Sequence, residues 1–183
     1  MIVKKVPEID GVRVIQLDSF TDPRGTFVKF EPMLQFENRL DSVALSSNHK
    51  KGTIRGLHFQ VEPFGEEKLV TCIQGAIFDV IVDLRPNSKT VGKWCSFELS
   101  AKNALQLYLP KGVAHGFQTL MPDSSLHYCL SSTYSPENSF SITPFGELDI
   151  DWPIKDSLLS ERDLNGIPLS IAKQKYADSL LNR

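Results

Sequence analysis

A mostly β fold, an antiparallel sandwich or barrel with short peripheral helices, is expected from three features of this sequence. Short runs of β-branched and aromatic residues recur between turn residues, one run alternates over its whole length, and helical periodicity stays weak until the end. Residues 68–74 and 76–84 read as two strands flanking Gly75, as around a tight turn. In the second run Phe78, Val80, Val82 and Leu84 share one face, and Ile77, Asp79, Ile81 and Asp83 share the other. Carboxylates two residues apart on one strand face predict a face that looks into a polar cavity. Pro86-Asn87-Ser88 forms a turn, and further strands are expected over 92–99, 105–109, 115–120 and 125–132. Lys102-Asn103, Pro110-Lys111-Gly112 and the segment from Met121 to Ser124 supply the turns between them. Regular short strands with this punctuation favour antiparallel packing over a βαβ design. A C-terminal helix is expected over Ser170–Arg183, and a turn or so of helix over residues 32–40.

The chain's 183 residues suit one domain, residues 1–183, large enough to bury a real core. Hydrophobic content of 41% and charged content of 23% are ordinary for a soluble globular protein. A net charge of −2, with His49-Lys50-Lys51 as the longest basic run, argues against nucleic acid as a partner. No window approaches the roughly 18 consecutive apolar residues of a membrane span. The apolar start is too short for a signal peptide. Cys72, Cys95 and Cys129 are odd in number and irregularly spaced, as expected of buried thiols in a reducing compartment. A cytoplasmic protein is the expectation.

Two blocks carry the chemistry. The first runs Gly52-Thr-Ile-Arg55-Gly-Leu-His58-Phe-Gln60, then Lys68-Leu-Val70, to Gly75. The second is Pro110-Lys-Gly112-Val-Ala-His115-Gly116-Phe117. Their spacing is similar to the paired motifs lining a cupin barrel, whose metal-binding members carry His-x-His and then Glu in the first block. Here Gln60 stands where the second histidine would be, and Lys68 where the carboxylate would be. A divalent cation needs neutral or anionic ligands, and an ammonium aimed into the same pocket repels it. The pocket is therefore expected to bind no metal and to perform acid/base chemistry on an anion-rich substrate.

Most histidines in strands are hydrogen-bonded structural residues. His58 stands out because Arg55, Gln60 and Lys68 converge with it on an otherwise apolar sheet. A neutral imidazole is a competent base at cytoplasmic pH, and a carboxylate on its far nitrogen would fix its tautomer. Asp79, Asp83 and Asp163 are the available partners. Arg55 and Lys68 interrupt apolar runs, which favours inward placement, and inward cations suit phosphate or a developing enolate oxygen. His115 reads equally as a structural histidine or a donor to a substrate oxygen. Tyr128 lies in an alternating run, where tyrosine is usually core, yet a phenol there could donate a proton opposite a histidine base. Tyr134 suits a turn or a stack against a nucleobase.

Together these segments resemble the dTDP-4-dehydrorhamnose 3,5-epimerase family. The resemblance rests on Asp22-Pro-Arg24-Gly25-Thr-Phe27, Asn48-His49, Arg55 to Gln60, Lys68-Leu-Val70 and Asp79 to Ser88. It continues through Gly92-Lys-Trp94, Pro110 to Phe117, Tyr134-Ser-Pro136, Ile150-Asp-Trp-Pro153 and Leu159-Ser-Glu-Arg-Asp163. The resemblance implies a jelly-roll barrel, a homodimer, and neither metal nor dissociable cofactor. It implies inversion at C3 and C5, or at C3 only, of a nucleoside-diphosphate 4-keto-6-deoxyhexose, in deoxysugar synthesis of the rhamnose or O-antigen type. By position, His58 is then the base, Tyr128 the acid, Asp163 the partner of His58, and Lys68 the group that steadies the enolate. Arg24, Asn48, Arg55 and His115 match substrate-contact positions, and Gln60 and Tyr134 complete the candidate binding set. Other readings are a 3-epimerase of CDP- or GDP-linked sugars, a 3,4-ketoisomerase of such sugars, and a non-catalytic sugar-nucleotide or metal-binding cupin.

Overall fold

A computed structural model of the chain describes residues 2–30, 36 and 39–181. Six strands form one antiparallel sheet in the order β1 (Ile2–Lys5), β2 (Arg13–Gln16), β10 (Leu105–Leu109), β7 (Lys68–Gln74), β12 (Ser124–Leu130) and β5 (Ser42–Asn48). Five form a second, ordered β13 (Ser139–Ser141), β6 (Ile54–Gln60), β11 (Val113–Thr119), β8 (Ala76–Asp83) and β9 (Trp94–Ser100). A separate hairpin pairs β3 (Asp18–Asp22) with β4 (Gly25–Lys29). Two helices, α1 (Glu161–Leu164) and α2 (Leu169–Leu181), follow the strands. The architecture is a jelly-roll sandwich of the cupin type, with short helices outside it.

Hydrophobic alternation explains the layering. Val70, Cys72, Leu107 and Leu126 from the six-stranded sheet meet Ile77, Ile81, Val113 and Phe117 from the other to form the inner core. On the outer face of the five-stranded sheet, Leu57, Phe59, Val80 and Val82 pack against Trp152 and the α2 residues Leu169, Ala172 and Tyr176. Burying an aliphatic or Phe side chain fully contributes roughly 1.5–3 kcal/mol, and this is what fastens α2 to the sheet. Pro168 precedes the helix, and the Glu147 carboxylate accepts the Ser170 N–H at 2.9 Å, satisfying one end-group donor. The expected C-terminal helix is thus present, beginning at Leu169. The helical turn expected over 32–40 falls largely outside the described residues. Among the described residues no helix is long and apolar enough to cross a membrane.

Two expectations change. Residues 68–74 and 76–84 were read as flanking a tight turn, but β7 and β8 lie in different sheets. Gly75, at φ +72°, is the corner where the chain crosses from one sheet to the other, and a Cβ there would collide with Ser124. The Asp79/Asp83 face does look inward, but neither carboxylate lines the cavity described below; Asp79 is buried behind His115, which does. Asp83 closes a loop instead: it accepts from Arg85 Nε at 2.8 Å, Ser88 Oγ at 2.5 Å and Thr90 Oγ1 at 2.7 Å. Those bonds outweigh the upward push of burial and hold its carboxyl below the usual range.

Candidate active site

The cavity opens between the two sheets. His58 and Gln60 from β6, His115 from β11 and Ser139 from β13 form one wall, while Ala44 from β5, Lys68 from β7, and Tyr128 and Leu130 from β12 form the other. Glu66, Tyr134 and Arg162 complete the lining of a cavity of about 230 Å³. Register explains the convergence. His58 and His115 are direct cross-strand partners, and on the facing sheet Tyr128 lies two residues along β12 from Leu130, the cross-strand partner of Lys68. A close approach of β6 and β11 makes the first pairing possible, because a Cβ on Gly56 would sit 2.7 Å from Gly116 Cα and from the His115 carbonyl oxygen. Only glycine fits there.

His58 is held from behind. Its Nε2 lies 2.6 Å from Asp163 Oδ1, which settles the choice among three aspartates. Asp163 is the third residue of α1, and Ser160 caps the helix by accepting the Asp163 N–H at 3.1 Å. The carboxylate also accepts Ser141 Oγ–H at 2.8 Å and the Gly56 N–H at 3.3 Å. Burial alone would raise the Asp163 pKa, but the bond and charge of His58, helped by Ser141 and Gly56, lower it to about 2. An ionised carboxylate only accepts, so Nε2 carries the proton and Nδ1 is left as the basic atom of the ring.

That depression has a stability consequence. The folded pKa lies below the reference value of 3.8, so the contribution is complete above pH 4 and lost as pH falls toward 2. Its size is about 2 kcal/mol. Urea unfolding of wild type and Asp163→Asn should therefore differ by that amount at neutral pH and converge between pH 4 and 2. A gap that stays constant with pH would contradict the ionic account.

A second imidazole–carboxylate pair presents its imidazole to the same cavity, with the carboxylate buried behind it. His115 Nε2 is 2.7 Å from Asp79 Oδ2, and both residues are buried. Burial pushes the Asp79 carboxyl upward, with His115 and Lys68 opposing it. The Tyr128 ring meets His115 edge-on at 5.9 Å. Burial, reinforced by Asp79, drives the Tyr128 phenol far above its usual range, and the charge of Arg55 partly counters this. The phenol therefore keeps its proton throughout the physiological range, as a donor should.

The remaining predicted residues divide. Lys68 is buried, with Nζ 3.0 Å from Glu66 Oε1. Arg55 does not turn inward as expected: it is exposed and does not line the cavity, its Nε donating to Oδ1 of the buried Asn48 at 2.7 Å. Gln60 lies on the cavity wall, but its amide ties down the loop carrying Tyr134: it donates to Phe64 O and Thr133 O and accepts the Ser135 N–H. Arg24 does not line this cavity. It stands on the β3–β4 hairpin, 91% exposed and paired with Asp22. Sequence reasoning missed Glu66, Ser139 and Arg162. Arg162 donates to Tyr134 Oη at 3.1 Å and Ser139 Oγ at 2.9 Å, and its place one residue before Asp163 was the only available signal. Among the described residues no three His, Cys, Asp or Glu side chains are grouped as a metal ion would require.

The arrangement can move a proton. An oriented imidazole and a proton-bearing phenol occupy opposite walls, and an ammonium on the phenol's wall can stabilise negative charge.

Comparison with known proteins covers the segments that build this cavity. The sequence profile described as dTDP-4-dehydrorhamnose 3,5-epimerase matches residues 7–170. The dTDP-4-dehydrorhamnose 3,5-epimerase of Shigella flexneri is 37% identical over 178 residues, covering 94% of each chain. The dTDP-4-dehydrorhamnose 3-epimerase of Streptomyces niveus is 38% identical over 172 residues, covering 90% of this chain and 83% of that one. Among solved structures, NovW of Streptomyces spheroides, described as a 4-keto-6-deoxy sugar epimerase, superposes with a TM-score of 0.88. It is 36% identical, over 95% of this chain and 90% of its own. With a profile spanning most of its length and relatives this similar, the chain belongs to the dTDP-4-dehydrorhamnose 3,5-epimerase family.

Proposed function

We propose that the protein is an isomerase that inverts C3 and C5 of a dTDP-linked 4-keto-6-deoxyhexose through an enolate, serving deoxysugar synthesis of the rhamnose type. The observation that carries this reading is the opposition of His58, backed by Asp163, to Tyr128 across one cavity that also holds Lys68. The ketone at C4 acidifies the hydrogens on both neighbouring carbons. His58 Nδ1 takes one of them, and the C–H electron pair moves into the ring as the ketone oxygen becomes an enolate oxygen. Lys68 donates to that oxygen. Tyr128 then delivers its proton to the carbon from the other face, and the configuration inverts. Solvent returns the proton from imidazolium to phenolate. The charge of Arg55 opposes the burial that disfavours phenolate, which eases the transfer.

At about 230 Å³ the cavity is smaller than the roughly 300–1,000 Å³ that encloses a drug-sized ligand. It takes the hexose ring, and the nucleotide lies outside along Arg55 and Tyr134. A homodimer is part of the proposal. Edge strand β5 exposes Val43 and Leu45, at 59% and 63%, and the hairpin exposes Phe20 and Phe27. An apolar open edge of this kind calls for a covering partner. Arg24 can then contact substrate only if the hairpin of one copy reaches the cavity of the other.

The test is incubation with dTDP-4-keto-6-deoxyglucose in deuterium oxide, read by NMR. Deuterium at C3 and C5 of an inverted product is the expected outcome, and deuterium at C3 alone identifies a 3-epimerase. A product with the keto group moved to C3 identifies a ketoisomerase. No uptake from dTDP-, CDP- or GDP-linked sugars overturns the proposal.

A further inference from the structure

One carboxylate in the cavity has no task in the mechanism above. Glu66 precedes Lys68 by two residues, in the loop that leads into β7, and its side chain turns toward the ammonium. Both are nearly buried, with side chains 10% and 8% exposed, and Glu66 Oε1 lies 3.0 Å from Lys68 Nζ. The other contact of Nζ is the His58 carbonyl oxygen at 3.5 Å, at the far limit of a hydrogen bond and too weak to fix a four-carbon stem. The remaining cavity groups do not hold the ammonium. Asp79 bonds His115 through Oδ2 and acts on Lys68 only as a nearby charge, without a hydrogen bond or ion pair to Nζ; Asp163 bonds His58, and the Tyr128 ring abuts His115. Glu66 is thus the only carboxylate on Nζ among the described residues.

An ammonium has three N–H donors. Glu66 takes one, the His58 carbonyl takes a second weakly, and among the described residues the third has no partner. The Glu66 anchor and the His58 carbonyl together decide where that third donor points. An unanchored lysine would sample several rotamers, and a group that stabilises a transition state must be in place before charge develops. We propose that Glu66 is a positioning residue: its carboxylate fixes the Lys68 ammonium so that the free N–H meets the ketone oxygen as it becomes an enolate. This rests on the epimerase reading of the cavity. Glu66 touches no reacting atom and acts only through Lys68.

The experiment measures deuterium wash-in at saturating substrate for wild type, Glu66→Gln, Lys68→Met and the double variant, together with KM for each. Glutamine keeps the shape and removes the charge. Glu66→Gln should slow wash-in by roughly 10–100-fold, within the range of coupled neighbours, while KM changes little. Added to Lys68→Met, it should cause no further loss, because the group it positions is already gone. Glu66→Asp, which keeps the charge on a shorter stem, should recover part of the rate. A purely structural role predicts the opposite, with the two losses multiplying and the aspartate giving no recovery. Wild-type wash-in from Glu66→Gln, or multiplying losses, overturns the proposal. Absence of wash-in from wild type is a separate result, which defeats the epimerase reading and this proposal with it.

Discussion

His58→Ala is expected to abolish measurable deuterium exchange at C3 and C5, a loss of roughly 10²–10⁴-fold if any rate survives. The size of the effect follows from the geometry. His58 is the side chain in the cavity whose basic nitrogen is defined by a carboxylate that stays ionised down to about pH 2. Alanine removes the base and also leaves Asp163 with only Ser141 Oγ and the Gly56 N–H. His115 does not substitute, because its side chain is buried between Asp79 and the Tyr128 ring, whereas that of His58 is 37% exposed. Asp163→Asn provides the companion measurement. Its amide can present either a donor or an acceptor to Nε2, the tautomer is no longer enforced, and exchange should fall with little change in nucleotide affinity. Undiminished exchange in His58→Ala would remove the base assignment.

Tyr128→Phe separates exchange from inversion. The base and the lysine remain, so the hydrogen still leaves and the enolate still forms. Deuterium then returns to the face it left, because the donor on the opposite wall is missing. The expected result is substrate labelled with deuterium but of unchanged configuration, with epimerised product reduced by roughly 10²–10⁴-fold. NMR coupling constants distinguish the two species. Packing should survive the change, since the ring's edge-on contact with His115 at 5.9 Å does not need the hydroxyl. Normal yields of inverted product would show that the proton arrives from elsewhere.

Much of this site was legible in the sequence, and the reasons are specific. His58, Lys68, His115 and Tyr128 announced themselves because each breaks an otherwise apolar strand, and a polar residue on an inward face needs a reason to be there. The strands over 68–84 and 105–130 were readable for the same cause: their alternation records burial on two sides. Strands β1 to β5 and β13 were not identified. Every residue of β1 and β3 is exposed, and β5 buries only Asn48, so no pattern marks them. The pairing of His58 with Asp163 crosses 105 residues, and residue chemistry alone left three aspartates open. Family resemblance selected the correct one, and geometry then showed why: Asp163 sits in the first turn of a helix aimed at the back of the imidazole. Glu66 was hidden in plain text within Glu66-Glu67-Lys68, since adjacent opposite charges ordinarily signify a solvated loop.

His58 belongs to one leaf of the jelly roll and Tyr128 to the other, and no covalent crosslink spans the leaves between them. The separation of base from acid is accordingly a thickness, set by how Val70, Ile81 and Phe117 interlock in the middle of the molecule. Trimming or enlarging one of these remote apolar groups would change how often removal on one face is completed by delivery on the other, without touching any residue that meets the sugar. Stereochemical fidelity in this enzyme is, in that sense, a mechanical property of its interior.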